Sequence, residues 1–566
     1  MRAFKDMMKK RYILFLIPFI LYIVLLGVMP QMEPDEARYS LIASSMNETG
    51  NYVTPHIKNT IYLEKPPLVS WVTAVFFKLF GENDFSARLF AGLCAWGCIL
   101  LTFLIGRRFR DEKTGLYAAA TLTISIFPFI LGRINILDMP LTFFVCLSIW
   151  LGYLSLITEE KRYLSWLFYF TCALAFLTKG IIGIVFPFAI LVIWLIWTGR
   201  WREILKLISP VGIVIFLVMV CPWIYLAQKE NSDFLWFFFV REHFLRFTTQ
   251  MHGKAEPFYY FLPFIIAGTF PWSVYLIEAW QGKNTATSLF QKDENKLLVV
   301  WFLFIFLFYS ASSSKLVTYI APLFLPIALF AGQIFRIYDE ELTEPSGKRQ
   351  VFYRLALYIQ SFLILVAVLL PPILKPYSDD AKGLVVMISG QWWLYVLPVL
   401  LVAILMIILP DWIARKVRSG WFVTIYLLSC VLLAGTILPI TNFLSPYRSS
   451  LVARDAIARY VPAGHLLYQY RVNFYGIDFY NKIRTPVVED FGELADGIIK
   501  MPEKEMKKYF FSVEGFHEKV EQENEIYCIT QFPEKLKQLQ SRHAHVDVLW
   551  ENGAFYLLHI RNKTKD

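Results

Sequence analysis

The stretch SARLFAGLCAWGCILLTFLIG, residues 86–106, followed at once by Arg107-Arg108-Phe109-Arg110, decides the fold. An apolar run of this length crosses a hydrocarbon core of about 30 Å as a helix, and basic residues at its end mark a cytoplasmic boundary. Comparable runs lie near 12–30, 115–131, 135–157, 163–178, 181–198, 205–226, 257–278, 297–310, 316–335, 354–374, 392–410 and 421–440, so the chain is expected to make about thirteen crossings. Composition agrees. Of 566 residues, 57% are hydrophobic and 18% charged, and the mean hydropathy is +0.49, whereas a soluble domain carries about 25% charged residues. Disorder, a coiled coil and an ordinary soluble enzyme are excluded, leaving a polytopic α-helical membrane protein.

Orientation follows from the loops. With Arg2, Lys5, Lys9, Lys10 and Arg11 cytoplasmic, the alternate loops carrying Arg107 to Arg110, Lys161-Arg162, Arg200 to Lys206, Lys348-Arg349 and Arg415-Lys416 are cytoplasmic too. These loops are about threefold denser in Lys and Arg than the outer ones, as the positive-inside rule requires. The net charge of +10 is thus largely topology, and no nucleic-acid partner is needed to explain it. The first run ends Gly27-Val28-Met29-Pro30 without a small-x-small cleavage site, which reads as a retained span. An odd number of crossings puts the C-terminus outside.

Residues 1–440 read as a membrane domain with two outer segments, 31–85 and 227–256, too long for simple connectors. Within the first, Leu68 to Phe80 has an apolar face but is too short to span, as expected of a helix lying in the interface. From 441 to 566 the pattern changes to strand-like segments at 465–470, 485–488, 525–530 and 554–560 between charged helical stretches, predicting an exported soluble α/β domain. Six of the seven cysteines lie in apolar runs; Cys528 alone is in the polar C-terminal region, which therefore has no internal disulfide.

The ionisable residues in or beside spans, Asp35, Glu36, Arg38, Glu64, Lys65, Arg133, Asp138, Lys179, Arg241, His243, Arg246 and Lys315, all fall at the outer face. Charges at membrane depth are costly and usually functional. A helix starting after Pro34 would accept an acid in its first turn. That accounts for one of Asp35 and Glu36, but not for Arg38 or for Tyr62-Leu63-Glu64-Lys65-Pro66-Pro67, whose double proline fixes an extended backbone and aims Glu64 and Lys65.

The motifs Pro34 to Tyr39 (PDEARY), Gly50 to His56 (GNYVTPH) and Tyr62 to Pro67 (YLEKPP) resemble the first outer loop of polyprenyl-phosphate-dependent glycosyltransferases of the GT-C class. Within that class they most resemble the aminoarabinose transferases that modify lipid A. Leu137 to Pro140 (LDMP), Leu177 to Gly180 (LTKG), Arg241 to Phe247 (REHFLRF), Pro257 to Pro263 (PFYYFLP) with Pro271-Trp272, and Lys315 to Ile320 (KLVTYI) match the same family in the same order, so the resemblance covers most of residues 30–330. It implies a GT-C fold, Asp35 as the catalytic aspartate and Asp138 as a second carboxylate orienting the sugar or a cationic partner. It also implies Lys65, Arg38 and Tyr319 on the donor phosphate with Tyr62 nearby, and Glu64 and His243 at positions that hold a divalent ion such as zinc in related proteins.

A phosphate leaving group is best stabilised by fixed cations in a poorly hydrated pocket, and Lys65, Arg38, Arg246 and Lys315 are candidates by position, Arg offering a fork and Lys a point charge. Two metal ligands fall short of the usual three or four. A donor with one phosphate needs no cofactor, and a His243 polarised by Glu242 or touching phosphate is the simpler reading. Asp35 would be a general base for a hydroxyl acceptor, whereas a lipid A phosphate is already ionised and needs only orientation. Burial beside Glu36 would raise its pKa and Arg38 would lower it.

The expected function is transfer, with inversion, of 4-amino-4-deoxy-L-arabinose or a related aminosugar from undecaprenyl phosphate to lipid A. It takes place on the outer side of the bacterial inner membrane, by a monomer among membrane lipids. A protein O-mannosyltransferase-like enzyme with a hydroxyl acceptor would share the acidic first loop. A transporter or flippase would show internal repeats and midplane charges, and neither is evident.

Overall fold

The computed structural model describes residues 12–158, 161–249, 256–270, 272–273, 291–341, 448–523, 525–552 and 554–561, with scattered positions between 422 and 446. Among the described residues five helices are long and apolar enough to cross a membrane: Asp84–Phe109, Asp138–Ile157, Pro210–Glu230, Asp293–Ala311 and Val317–Ile337. At 26 residues the first of these is roughly 39 Å long, so its ends project beyond the hydrocarbon. Its start is set by a capping box: the Asn83 side chain accepts from the Phe85 and Ser86 N–H groups, both at 3.0 Å, while Ser86 Oγ accepts from the Asn83 N–H at 3.2 Å. Ser209 caps Pro210–Glu230 in the same sense, with proline in the first turn where no N–H is needed.

The remaining apolar runs are less regular than a count of crossings implies. The first continues from Tyr12–Phe19 through a π turn, Ile20–Val24, into a 3-10 turn, Leu26–Val28. The run 115–131 breaks at Ser125, whose backbone is extended, into Glu112–Ile124 and Ile126–Leu131. The run 316–335 opens as a 3-10 helix, Val317–Leu323, before becoming α-helical at Phe324. The runs 354–374 and 392–410, and most of 421–440, lie outside the described residues. A helix forms over Leu68–Phe80, burying Val69, Thr73 and Phe77 and exposing Val75, Leu79 and Phe80.

One buried ion pair ties the first outer segment to the helices. Glu36, in the first turn of Asp35–Thr49, receives Arg88 Nε at 2.7 Å and Nη2 at 2.8 Å, and the N–H groups of Asn135 and Met32 at 2.9 Å each. Arg88 spends its other donors on the carbonyls of Leu26, Met29 and Pro30 at the end of the first span. Every charge in this cluster is matched, which is what permits burial. Arg88→Ala would strand the Glu36 carboxylate, and breaking such a pair costs about 3–5 kcal/mol. The variant is therefore expected to melt well below the parent in detergent, measured by thermal unfolding. Glu36 thus turns away from Asp35, and the expectation that the two acids share one environment is corrected.

The C-terminal residues form a six-stranded sheet in the order β5-β4-β3-β6-β8-β7. Its strands are β3 Leu467–Tyr470, β4 Val487–Val488, β5 Phe510–Phe511, β6 Glu525–Gln531, β7 His545–Glu551 and β8 Phe555–Arg561; a hairpin of β1 His56–Ile57 and β2 Thr60–Ile61 stands apart in the first outer segment. β3, β4, β5 and β6 run parallel, while β8 joins β6 and β7 antiparallel. The sheet is covered on both sides, with Leu467, Ile529 and Phe555 packed on one face and Tyr468, Cys528 and Leu558 on the other. This is why its inner strands read as almost unbroken apolar runs. It docks on the first outer segment through the buried Lys58–Asp478 pair, 3.2 Å. It is also held by the Glu33 carboxylate, which accepts from Ser450 Oγ, from Gly476 N–H at 2.7 Å and from Tyr475 N–H at 3.1 Å.

Candidate functional site

The charged motifs converge on a cavity of about 420 Å³ whose polar wall is Glu64, Lys65, Lys179, Glu242, His243, Arg246 and Tyr319, and whose other wall is apolar, including Ile182, Phe239, Phe247 and Phe308. Lys65 comes from the extended Tyr62 to Pro67 stretch. Glu242 and Arg246 come from the π-helix Trp236–Leu245 and the turn that follows it, four residues apart and so on one face. Lys179 ends Tyr163–Lys179, and Tyr319 sits in the 3-10 helix Val317–Leu323. Both positions are places where regular α-helical bonding stops and side chains can be aimed inward.

Two acids hold the cations. Glu242 Oε2 accepts from Lys65 Nζ at 3.1 Å and from Arg246 Nη1 at 2.9 Å; Glu64 Oε2 stands 3.6 Å from Lys65 and 3.8 Å from Arg246. Burial raises the Glu242 carboxyl, but Lys65 and Arg246 outweigh it and hold the group below its ordinary value. For Glu64 burial wins: its carboxyl is pushed up to about 7, only partly opposed by Lys65, and its Oε2 is buried without a hydrogen-bond donor. The native state therefore binds the Glu64 proton more tightly than the unfolded chain does, between the ordinary 4.5 and about 7. This contribution to stability is largest at the acid end and is lost as pH rises through that window. Glu64→Gln is expected to remove this slope, read as melting temperature from about pH 5 to about pH 8.

Asp138 opens Asp138–Ile157 and accepts from Lys179 Nζ at 2.6 Å, and that ammonium lies 4.6 Å from the centre of the Tyr319 ring. Gly180, at φ +81°, follows immediately; a Cβ there would come within 2.1 Å of His243 Nε2, so the Thr178-Lys179-Gly180 motif needs glycine for the close approach of that ring. His243 donates from Nδ1 to the Phe238 carbonyl at 2.6 Å and accepts at Nε2 from the Ile181 N–H at 3.2 Å. Burial lowers its pKa, keeping the ring neutral. It is not polarised by Glu242, whose carboxylate is spent on Lys65 and Arg246. With both ring nitrogens committed, His243 has no lone pair for a cation, and among the described residues no three His, Cys, Asp or Glu side chains gather into a ligand set. Glu64 and His243 as placed therefore do not fit a divalent ion.

Five predicted residues do not line the cavity: Asp138, which meets it through Lys179, and Asp35, Arg38, Tyr62 and Lys315. Lys315 gives its ammonium to the carbonyls of Ser312, 2.7 Å, and Glu256, 2.9 Å, and so fixes the turn that leads to Tyr319 rather than facing the cavity. Arg38 is buried on Asp35–Thr49, with Nη2 on Asp35 at 2.5 Å and Nη1 on Glu493. Tyr62 is buried too, and its hydroxyl donates to Glu493 at 3.0 Å. Asp35 itself is 61% exposed. Glu493, and Asp496 bonded to Arg241 at 2.6 Å, were invisible to sequence reasoning, because they come from the far C-terminal region and look like ordinary surface acids.

A family model described as dolichyl-phosphate-mannose-protein mannosyltransferase matches residues 64–226. An undecaprenyl phosphate-α-4-amino-4-deoxy-L-arabinose arabinosyl transferase of Pseudomonas fluorescens (strain Pf0-1) is 33% identical over 320 residues, 55% of this chain and 57% of that protein. The corresponding transferase of Pseudomonas paraeruginosa is 31% identical over 375 residues, 63% of this chain and 65% of that one. The chain thus matches under two thirds of the length of these curated relatives. In fold it is similar over 97% of both chains to ArnT from Cupriavidus metallidurans bound to undecaprenyl phosphate, with a TM-score of 0.79 and 22% identity. The relatives that match carry the name of the family the motifs resemble, and the fold is ArnT-like, with apolar helices long enough to cross a membrane.

Proposed function

We propose that the chain is an integral-membrane, inverting glycosyltransferase. It moves 4-amino-4-deoxy-L-arabinose or a related aminosugar from undecaprenyl phosphate to a phosphate of lipid A. It works as a monomer at the outer side of the bacterial inner membrane, with its N-terminus cytoplasmic and its C-terminal α/β domain periplasmic. The observation that carries this reading is the meeting of Lys65, Arg246 and Tyr319 in one cavity that also has an apolar wall. A polyprenyl phosphate has the same two-part character.

In this reading the donor phosphate lies against Lys65 and Arg246, which are already desolvated and fixed by Glu242, so little reorganisation is needed as charge grows on the leaving oxygen. Tyr319 adds a hydroxyl, and Lys179, steadied by Asp138, completes the positive wall. An acceptor oxygen attacks the anomeric carbon from the opposite side, the bond to the donor phosphate breaks with its electron pair, and the sugar configuration inverts. Where the acceptor phosphate still carries a proton, Asp35 accepts it; where it is ionised, Asp35 orients it through Arg38. No step needs a metal.

The match to a mannosyltransferase family model keeps a second reading in view, a hydroxyl acceptor on an exported protein. Mass spectrometry of lipid A from cells with and without the gene separates the two. An aminopentose added to lipid A supports the first; unchanged lipid A with newly glycosylated exported protein supports the second.

A further inference from the structure

Of the outer-face cations, Lys65, Lys179 and Arg246 face the cavity, whereas Arg38 does not, and neither does the phenol of Tyr62 beside it. Arg38 Nη1 and the Tyr62 hydroxyl, from separate elements, converge on a single oxygen, Glu493 Oε2. The Arg38 guanidinium lies 5.3 Å from the Tyr39 ring centre and 5.8 Å from that of Tyr62, and its Nε is buried without a partner. A planar guanidinium with a donor to spare, joined by a phenol, is a donor set suited to a phosphate oxygen as much as to a carboxylate. Asp35 occupies the other arm of the same guanidinium.

Glu493 belongs to the short helical stretch Gly492–Ile498, whose Leu494 and Ile498 are buried in the main core while its charged side chains reach across the outer loops. Asp496 meets Arg241 at 2.6 Å and Lys500 meets Asp233 at 2.7 Å, each partly open to solvent. Gly497 lies so close to the Ile61 carbonyl that a Cβ would stand 2.2 Å from it. Ile499, just beyond, is 81% exposed. Partly solvated ion pairs are weakly held, and the Glu493 side chain is 33% exposed, so it can swing aside for another anion while Leu494 and Ile498 keep the stretch packed.

We infer that Arg38 and Tyr62 form a seat for the acceptor's phosphate monoester, separate from the donor cavity, and that Glu493 is its resting occupant, displaced when the acceptor arrives. The inference rests on the transferase reading for its choice of ligand. It places the acceptor phosphate on the same guanidinium as Asp35, and it makes the C-terminal domain a competitor for that seat.

The test uses the full chain in lipid nanodiscs saturated with undecaprenyl phosphate, titrated with soluble glucosamine 1-phosphate and, as a control, glucosamine. The sugar phosphate should bind and glucosamine should not. Glu493→Gln should tighten sugar-phosphate binding roughly tenfold and Tyr62→Phe should weaken it by a similar factor, the scale of a charge-assisted hydrogen bond. Undecaprenyl phosphate affinity should stay unchanged in Glu493→Gln, which also reports that the variant is folded. Unchanged or weaker sugar-phosphate binding in Glu493→Gln overturns the inference, as does displacement of the sugar phosphate by undecaprenyl phosphate, which would mean one shared site. If binding follows the expected pattern but no sugar reaches lipid A, the seat stands and the transferase reading fails.

Discussion

Asp35→Asn is expected to lose sugar transfer by about 10²–10⁴-fold, the usual range for removing a positioned proton acceptor, while still folding and inserting. The substitution keeps the size and shape of the side chain and removes only its charge and basicity. Asp35 is 61% exposed and opens its helix, so little packing depends on it; it accepts a 2.5 Å bond from Arg38. The buried acid of the same turn, Glu36, keeps its bonds to Arg88. A fall in transfer rate with an unshifted melting temperature is therefore the signature of a group acting on substrate. Transfer within a few-fold of the parent would remove Asp35 from the chemistry.

Lys65→Ala is expected to be as damaging, but by a different route. In the parent, Glu242 and Glu64 face Lys65 and Arg246. Without Lys65, Arg246 alone balances two buried carboxylates, and the wall that should attract a phosphate becomes a poor host for it. Removing one fixed donor from a charge-stabilising site costs about 10²–10³ in kcat, and donor binding should weaken as well. Lys65→Arg should recover binding more than rate, because it restores the charge but not the point at which it acts. Titration with undecaprenyl phosphate alongside initial rates resolves the two effects. Parental binding and rate in Lys65→Ala would place the donor elsewhere.

The membrane helices were legible because a hydrocarbon core demands length and apolarity, and both are local properties of sequence. The same holds for β3, β6 and β8, whose apolar runs reflect a sheet covered on both faces. β7 escaped notice because it is an edge strand carrying His545, Asp547 and Glu551, charges that protect an edge but blur its pattern. In the candidate site, Lys65 and Arg246 stood out by position, whereas Tyr319 and Asp138 entered only through the family resemblance. What could not be read was where each hydrogen-bonding atom is spent. His243 looks like a ligand until both nitrogens are seen on backbone groups, and Lys315 looks like a phosphate cation until its ammonium is found on two carbonyls. Glu493 meets Arg38 from 455 positions away, and nothing in its own neighbourhood marks it.

The central claim is that this chain itself joins an aminosugar to a phosphorylated lipid. Its most direct test is purified protein in vesicles containing lipid A and synthetic undecaprenyl-phosphate aminoarabinose, with the lipid A products weighed by mass spectrometry and the new glycosidic bond assigned by NMR. Aminopentose is expected on a lipid A phosphate, with the donor's anomeric configuration inverted. Unmodified lipid A from folded protein that binds the donor, or a sugar joined with retention, would contradict it.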